Sequence, residues 1–497
     1  MVARVESVSV VGMEARPVEV EVALSGGLPE FHIVGLPSVA VKEARQRVKA
    51  AVTSSEQEWP QRRITANLAP GDLRKEGSLL DLPLAVGVLA ASGKVPRTNL
   101  SGLVIVGELA LDGRVRPIRG ALAAAVGAKQ RGAWGIVVPK QNQDEACLVP
   151  GIKVMGAAHL VEALAYVSGE LAPERNRIDV QALLAQAVDD GLDLSDVNGQ
   201  ALPKRALEIA AAGGHNLLMV GPPGCGKTML ARRLPGILPP MTAEEALEVT
   251  HVWSVAGLLQ EGQNLVSTRP FRSVHHHASA AAVVGGGSPW PRPGEISMAH
   301  NGVLFMDELP LFSRSVLEGL RQPVEDGVVT IARMGAVVRF PSKVSLIAAA
   351  NPCLCGSFGE AGSSCSCPPA RLEAYRSKLS GPFLDRMDLF VEVAKLSESE
   401  LMGIKTGSSS GEVRARVTKA RQMRRKRNES CAPSLIEMLE PEAEVFVRSA
   451  IAKGRFSARG LSRHLNVART IADLAGQVTI GVDAIAEAMQ YGRPVWE

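Results

Sequence analysis

Aromatic residues are scarce: Phe, Trp and Tyr together make up 4% of the 497 residues. A core in such a chain has to be filled mainly by Ala, Val, Leu and Ile. An excess of one charge is also missing, with 55 Lys and Arg against 51 Asp and Glu, a net +4. That balance is too mild to announce a polyanionic partner, so a nucleic-acid role has to rest on a local patch. No uninterrupted apolar run reaches the ~18 residues of a membrane-spanning helix. The opening Met1-Val-Ala-Arg-Val-Glu-Ser lacks the charged-then-apolar layout of a secretion signal. Both absences predict a soluble, cytoplasmic protein with no membrane partner. Cysteine is sparse and uneven. Four of the seven, Cys353, Cys355, Cys365 and Cys367, fall within fifteen residues. In a cytosolic chain such a cluster reads as metal binding before disulfides. Cys147, Cys225 and Cys431 read as unpaired packing residues.

What is present is globular. Apolar residues at 46% and charged residues at 21% sit near the average of folded domains and exclude wholesale disorder. At roughly 100–200 residues per domain the length predicts several domains. Residues 1–165 alternate β-branched runs (Val8–Gly12, Val18–Leu24, Phe31–Val34, Gly135–Pro139) with helical ones (Ser38–Thr53, Leu82–Ala91, Ala121–Gln130), an α/β pattern. Ser38 is placed to cap its helix. Residues 166–195 are polar and Pro-punctuated, the composition of a linker. Residues 196–395 alternate strands and helices, and residues 396–497 are helical. The fold class expected is therefore α/β and multidomain, with a parallel-sheet core and an all-α carboxyl-terminal part.

Gly221-Pro222-Pro223-Gly224-Cys225-Gly226-Lys227-Thr228 matches GxxxxGK[ST] in full, after a strand-like run and before a helical one. That context identifies a phosphate-binding loop. Glycines let backbone N–H groups face phosphates, Lys227 neutralises the β/γ oxygens of ATP, and Thr228 offers a hydroxyl to Mg²⁺. About eighty residues on, Val303-Leu-Phe-Met ends in Asp307 and Glu308. Asp307 is expected to hold the metal through water, and Glu308 to act as general base on the attacking water. A third strand, Val344–Ala350, ends in Asn351, a polar residue placed to orient that water.

These strand-end motifs in this order resemble the AAA+ class of ring-forming ATPases. Arg269–Ser279, Gly285-Gly-Gly-Ser-Pro, Arg292–Leu309 and Asn351-Pro-Cys-Leu-Cys-Gly look like the magnesium-chelatase-like branch, and within it nearly the whole chain resembles the ComM/YifB family. The resemblance implies that the segment Ser380–Leu389 supplies Arg386 as an arginine finger to a neighbouring subunit. It also implies that Arg459, with Arg463 as rival, is the lid arginine that senses the γ-phosphate, and that Gly199-Gln200 lies near the adenine. A finger donated by another chain requires an oligomer, and the family implies a homo-hexamer. Pro70–Ala85 and Gly107–Leu122 resemble the Lon-type protease fold. Its serine position falls near Leu79, with Ser78 one place off, and no lysine follows Gly120 until Lys129. The expectation is a non-proteolytic Lon-like domain.

Gly327–Phe340 reads as two β runs around a tight turn. In related ring helicases such a hairpin points into the pore, so Arg333 is expected to meet DNA phosphates, single-stranded or branched. Trp290, in a Gly-rich insertion, is expected to pack rather than stack on bases. Arg414–Arg427 carries eight positive charges in fourteen residues with no acid. Three roles stay open for it: a solvated helix face, a DNA surface or a subunit contact. The four clustered cysteines suit a closed, structural Zn²⁺ site. His275-His276-His277 is assigned no metal, because consecutive residues on a helix or strand diverge. The function expected is an ATPase and probable DNA helicase or branch-migration factor, which in ComM terms serves recombination during natural transformation. The alternative is a motor subunit inserting Mg²⁺ into a tetrapyrrole.

Overall fold

The β-branched amino-terminal runs form two long antiparallel strands, Val2–Val11 and Glu14–Ser25, joined at Gly12-Met13. They sit within a seven-stranded sheet in the order Phe31–Val34, Arg63–Ala69, Glu14–Ser25, Val2–Val11, Leu103–Ile105, Gly135–Pro139, Lys153–Ala157. The computed structural model from which this follows describes residues 2–73, 75, 77–173, 178–186, 191–260, 262–287, 290–333, 336–358, 365–378, 381–396, 400, 407–429, 434–453 and 457–492. Helices Val39–Ser54, Asp81–Ala91 and Ala121–Gln130 cover the sheet. Ser38 caps the first, its hydroxyl accepting the Val41 N–H at 3.4 Å. Asp81–Ala91 is buried along its whole length, as its apolar sequence from Leu82 onward requires, and the buried Asp81 at its start is paired with Arg47 at 2.7 Å.

At the Lon-like positions Ser78 and Lys129 meet other partners. Leu79 is partly buried against the core. The Ser78 hydroxyl is spent on the Glu108 carboxylate. Lys129 lies beside Gly151. The sequence reading overlooked Lys75, which is fully buried and donates to the Pro70 carbonyl, with burial lowering its ammonium pKa.

The stretch read as a linker contains the end of helix Leu160–Ser168 and a short helix, Val180–Ala185; residues 174–177 and 187–190 lie outside the described residues. Beyond it, five strands pair in parallel in the order Phe271–Val274, Val303–Met306, Ser345–Ala350, Leu217–Val220, Leu389–Glu392. The three inner strands are buried throughout, as expected for a sheet covered on both faces. Their carboxyl ends converge, which is where an open parallel sheet binds its ligands.

Helices Ser410–Glu429, Pro441–Ala452, Ala458–Leu474 and Val482–Gln490 complete the chain. The first carries the basic run, and packing settles much of its role. Arg416 pairs with buried Glu208 at 2.6 Å, and Arg421 donates to the Ala211 carbonyl at 2.8 Å. Arg424 donates to the Gly213 carbonyl, and Arg427 grips Asp473 with both nitrogens at 2.7 and 2.8 Å. Ala211 and Gly213 end the helix Ala201–Gly213, whose last carbonyls lack intrahelical donors. Burial pushes the Arg421 guanidinium down to about 10. At least five of the eight charges, Arg425 with Glu429 at 3.0 Å included, therefore have partners within the chain. Among the described residues, no helix is long and apolar enough to cross a membrane.

Candidate active site

The strand Leu217–Val220 runs into a loop that turns tightly enough to start the helix Lys227–Arg232 because Gly224 (φ 78°) and Gly226 (φ 93°) take left-handed conformations. Lys227 is 8% exposed. Its ammonium donates to the Gly221 and Pro222 carbonyls at 2.7 and 2.8 Å and to Asn351 Oδ1 at 3.1 Å. The Cys225 thiol lies 3.6 Å away. The Thr228 hydroxyl donates to Asp307 Oδ2 at 2.9 Å, while Asp307 Oδ1 accepts the Glu308 N–H at 2.9 Å. Three adjacent strand ends thus carry two hydrogen-bonded groups, Lys227 with Asn351 and Thr228 with Asp307 and Glu308. Gln200 holds the adjoining segment through the Ala394 carbonyl at 2.7 Å.

Two neighbours were not legible in the motifs. Tyr375 donates to the Asn351 carbonyl at 3.2 Å, and burial pushes its hydroxyl up to about 12, so it stays a donor. His276 Nδ1 stands 3.1 Å from Glu308 Oε2. The three histidines follow the strand Phe271–Val274 in a turn rather than a regular element. Their rings stack, with centroids 4.3–5.1 Å apart and ligand nitrogens within 4.8 Å of one another. The divergence expected of consecutive residues therefore does not hold here.

Arg386 and Arg459 lie elsewhere. Asn216, which precedes the strand Leu217–Val220, donates to the Arg386 carbonyl at 2.9 Å. Arg386 thus sits at the amino end of a strand whose carboxyl end carries the phosphate loop, ~13 Å away at ~3.3 Å per residue. Its guanidinium pairs with Glu325 at 2.5 Å. Arg459, 64% exposed, stands 3.9 Å from Glu325 and 3.8 Å from Asp385. Arg463 donates to the Met387 carbonyl and lies over the Phe390 ring.

Three family profiles cover the chain: "Magnesium chelatase, subunit ChlI" at residues 193–401, "Subunit ChlI of Mg-chelatase" at 20–142 and "Magnesium chelatase, subunit ChlI C-terminal" at 407–492. The competence protein ComM of Haemophilus influenzae is 43% identical over 491 residues, 97% of this chain and 95% of ComM. The uncharacterized protein YifB of Escherichia coli is 43% identical over 490 residues, with the same coverage. The chain belongs to the ComM/YifB family. As a magnesium-chelatase-like member it is an AAA+ ATPase, and ATP and Mg²⁺ are the cofactors that class implies. Lon protease 2 of Bacillus subtilis is 32% identical over 97 residues, 19% of this chain and 17% of that protease, and the amino-terminal domain is Lon-like.

In this ComM/YifB member the cysteines converge. Cys353 and Cys355 sulfurs lie 3.3 Å apart, and Cys365 is 3.6 Å from each. All four sulfurs, Cys367 included, fall within 4.8 Å of one another. A tetrahedral ion with Zn–S bonds of ~2.3 Å needs sulfurs about 3.8 Å apart, so the donor set fits zinc. Backbone N–H groups and the Cys353 thiol lower the Cys355 thiol, while burial and the neighbouring thiols raise Cys365, so the crowded sulfurs share a single negative charge between them. The cluster abuts the phosphate loop, since a Cβ on Gly356 would overlap Pro223. Cys225 is buried and Cys147 half-buried; Cys431 lies outside the described residues.

The family's hairpin is present as Val328–Arg333 paired with Ala336–Pro341. Val329, Val338 and Phe340 face inward. Arg333 at the tip is exposed, as are Val337 and Arg339. Arg339, opposite Thr330 on the open face, is a second cation that the sequence reading passed over; its position one residue from an inward Val338 was the available signal. Met334 and Gly335 lie outside the described residues. Trp290 packs against the core; Ser288 and Pro289 beside it lie outside the described residues.

Proposed function

We propose that this protein is an ATP-driven ring motor on DNA, a helicase or branch-migration factor serving recombination during natural transformation. One observation carries the DNA reading. The hairpin bearing Arg333 and Arg339 lies in the chain between the strand ending at Asp307-Glu308 and the strand ending at Asn351. A polyanion on the hairpin and hydrolysis at the strand ends are then joined by a few residues. Kinship over 97% of the chain with a competence protein supports the same conclusion.

In this mechanism Gly221 to Thr228 cradle the ATP phosphates, and Lys227 leaves its carbonyls to neutralise the β/γ oxygens. Thr228 and Asp307 would hold Mg²⁺, which would neutralise charge on the phosphates. Glu308 takes the proton of the attacking water, and Asn351 orients that water. Arg386 cannot reach its own phosphate loop from the far end of the sheet. It acts on the nucleotide of the next protomer, and Arg459, sharing Glu325 with it, faces the same way. Donation between protomers makes the active form a ring, six copies by family resemblance. Zn²⁺ on Cys353, Cys355, Cys365 and Cys367 gives a structural anchor beside Asn351 and the phosphate loop.

Two measurements test this. Forked or four-way DNA is expected to stimulate hydrolysis, and Arg333→Ala to weaken DNA binding uniformly across sequences, with a salt slope shallower by about one counterion. Equal DNA affinity in wild type and Arg333→Ala refutes the hairpin assignment. An ATPase indifferent to every DNA favours the chelatase reading instead. For the cysteines, elemental analysis is expected to find one zinc per chain, lost in Cys353→Ser with loss of thermal stability. Metal-free protein of unchanged melting temperature rules the anchor out.

A further inference from the structure

We propose that the first β-turn of the Lon-like domain, Gly12-Met13, is a brace for the hairpin Val328–Pro341, and that this contact sets how DNA engagement is passed to hydrolysis. The second half of the proposal rests on the DNA reading above; the first does not.

Gly12 and the hairpin are more than three hundred residues apart in sequence. In the fold, a Cβ placed on Gly12 would overlap Val338 Cγ1, and its next two neighbours, at 3.4 and 3.6 Å, are also Val338 atoms. Gly12 has φ 61°, so the turn both needs glycine and brings bare backbone onto one side chain. Val338 is 4% exposed although Val337 and Arg339 on either side of it are exposed. Its cross-strand partner Ile331 is met by Gly285, where a Cβ would stand 3.1 Å from Ile331 Cδ1. The inward face of the hairpin is therefore seated between the amino-terminal turn and the Gly-rich insertion, while Arg339 faces outward and Arg333 is exposed at the tip.

The turn is itself anchored. His251, on the helix Ala243–Ala256, bonds the Met13 backbone, and burial drives its imidazole down to about 4, so it sits there neutral. Met13 packs into the same core cluster as Val338 and Phe340. The same helix is tied to the amino-terminal domain a second time. The Gly120 N–H donates to the Ser254 carbonyl at 3.1 Å, and the Ser254 hydroxyl donates to Glu145. Asn264, after that helix, donates to Asp144 at 3.1 Å.

An isolated two-stranded ribbon is marginal in water and needs a packed face to hold one position. Close-packed interiors pass on displacement because they cannot absorb a methyl group. Gly12 against Val338 is the place where the amino-terminal domain can hold, or fail to hold, the DNA-facing arginines.

The test is a double-mutant cycle in the full chain. Gly12→Ala overfills the contact, Val338→Ala vacates it, and the double variant restores room. Each single variant is expected to lower the DNA-stimulated ATPase rate about fivefold, a coupling typical of contacting residues, with the DNA-free rate unchanged. The positive φ at Gly12 adds a backbone cost to Gly12→Ala that no change of partner removes, so the double variant is expected to lose clearly less than the two single losses combined. Amide hydrogen exchange in the two hairpin strands is expected to quicken in both single variants and, in the double, by less than their combined effect. Single variants with wild-type exchange, or single effects that simply add in the double variant, overturn the brace. If DNA fails to stimulate the wild-type enzyme, the DNA reading falls, and the exchange cycle alone still decides the brace.

Discussion

Lys227→Ala is expected to abolish ATP hydrolysis. The ammonium is buried and spends its three N–H groups on Gly221, Pro222 and Asn351. It therefore serves twice. In the resting site it closes the loop on itself, and on ATP binding it is expected to turn its charge onto the β/γ oxygens, where burial leaves charge poorly screened. Alanine removes the charge and leaves three acceptors facing each other without a donor. Unpaired buried acceptors cost about 1–3 kcal/mol each, so the variant loses melting temperature as well as turnover. The measurement is phosphate release at saturating ATP, with a fall of about 10³ or more expected from the size of preorganised electrostatic stabilisation. Turnover within tenfold of wild type means that the loop does not hold the reacting phosphates.

Arg386→Ala is expected to be as silent, with a loss of about 10³–10⁵, the range of an arginine finger. The informative result is the mixture. A Lys227→Ala protomer has a dead loop but an intact Arg386, and an Arg386→Ala protomer has the reverse. If each site is built from two chains, mixing the two inactive proteins restores hydrolysis, because some interfaces pair a good loop with a good finger. If Arg386 acted within its own chain, no mixture would recover activity. The geometry argues for the first outcome. The Arg386 backbone is held at Asn216, at the end of the sheet opposite the phosphate loop, and its guanidinium is parked on Glu325. Donation in trans would exchange that carboxylate for a neighbour's phosphate, two of whose oxygens a planar guanidinium grips better than an ammonium does.

Much of the site was legible because its information is local. GxxxxGK[ST] encodes its own turn through Gly224 and Gly226. Ser38 and the helix after it, the run Phe31–Val34 and the Ala-rich Ala121–Gln130 are dictated by capping and periodicity within a dozen residues. Asp307, Glu308 and Asn351 could be named because a buried parallel strand has a characteristic apolar run, and the residue that ends it is visible. The basic run was legible as a charge excess and not as a role. Glu208, Asp473 and the carbonyls of Ala211 and Gly213 that absorb its arginines lie 46 to 211 residues away. The histidine triplet misled for a related reason: divergence holds inside a helix or strand, and these three occupy a turn.

From the sequence alone came the family, the order of the elements, the phosphate loop with its acids, and the four thiols fit for a metal. Each of these depends on residues near one another in the chain or on a motif whose spacing is its geometry. The tertiary structure alone decided that Arg386 and Arg459 meet at Glu325, that most of the basic run is tied to partners in its own chain, and that Gly12 rests on Val338. Those are meetings between distant segments. Local propensity does not encode them, because they exist only once the sheets and helices have packed.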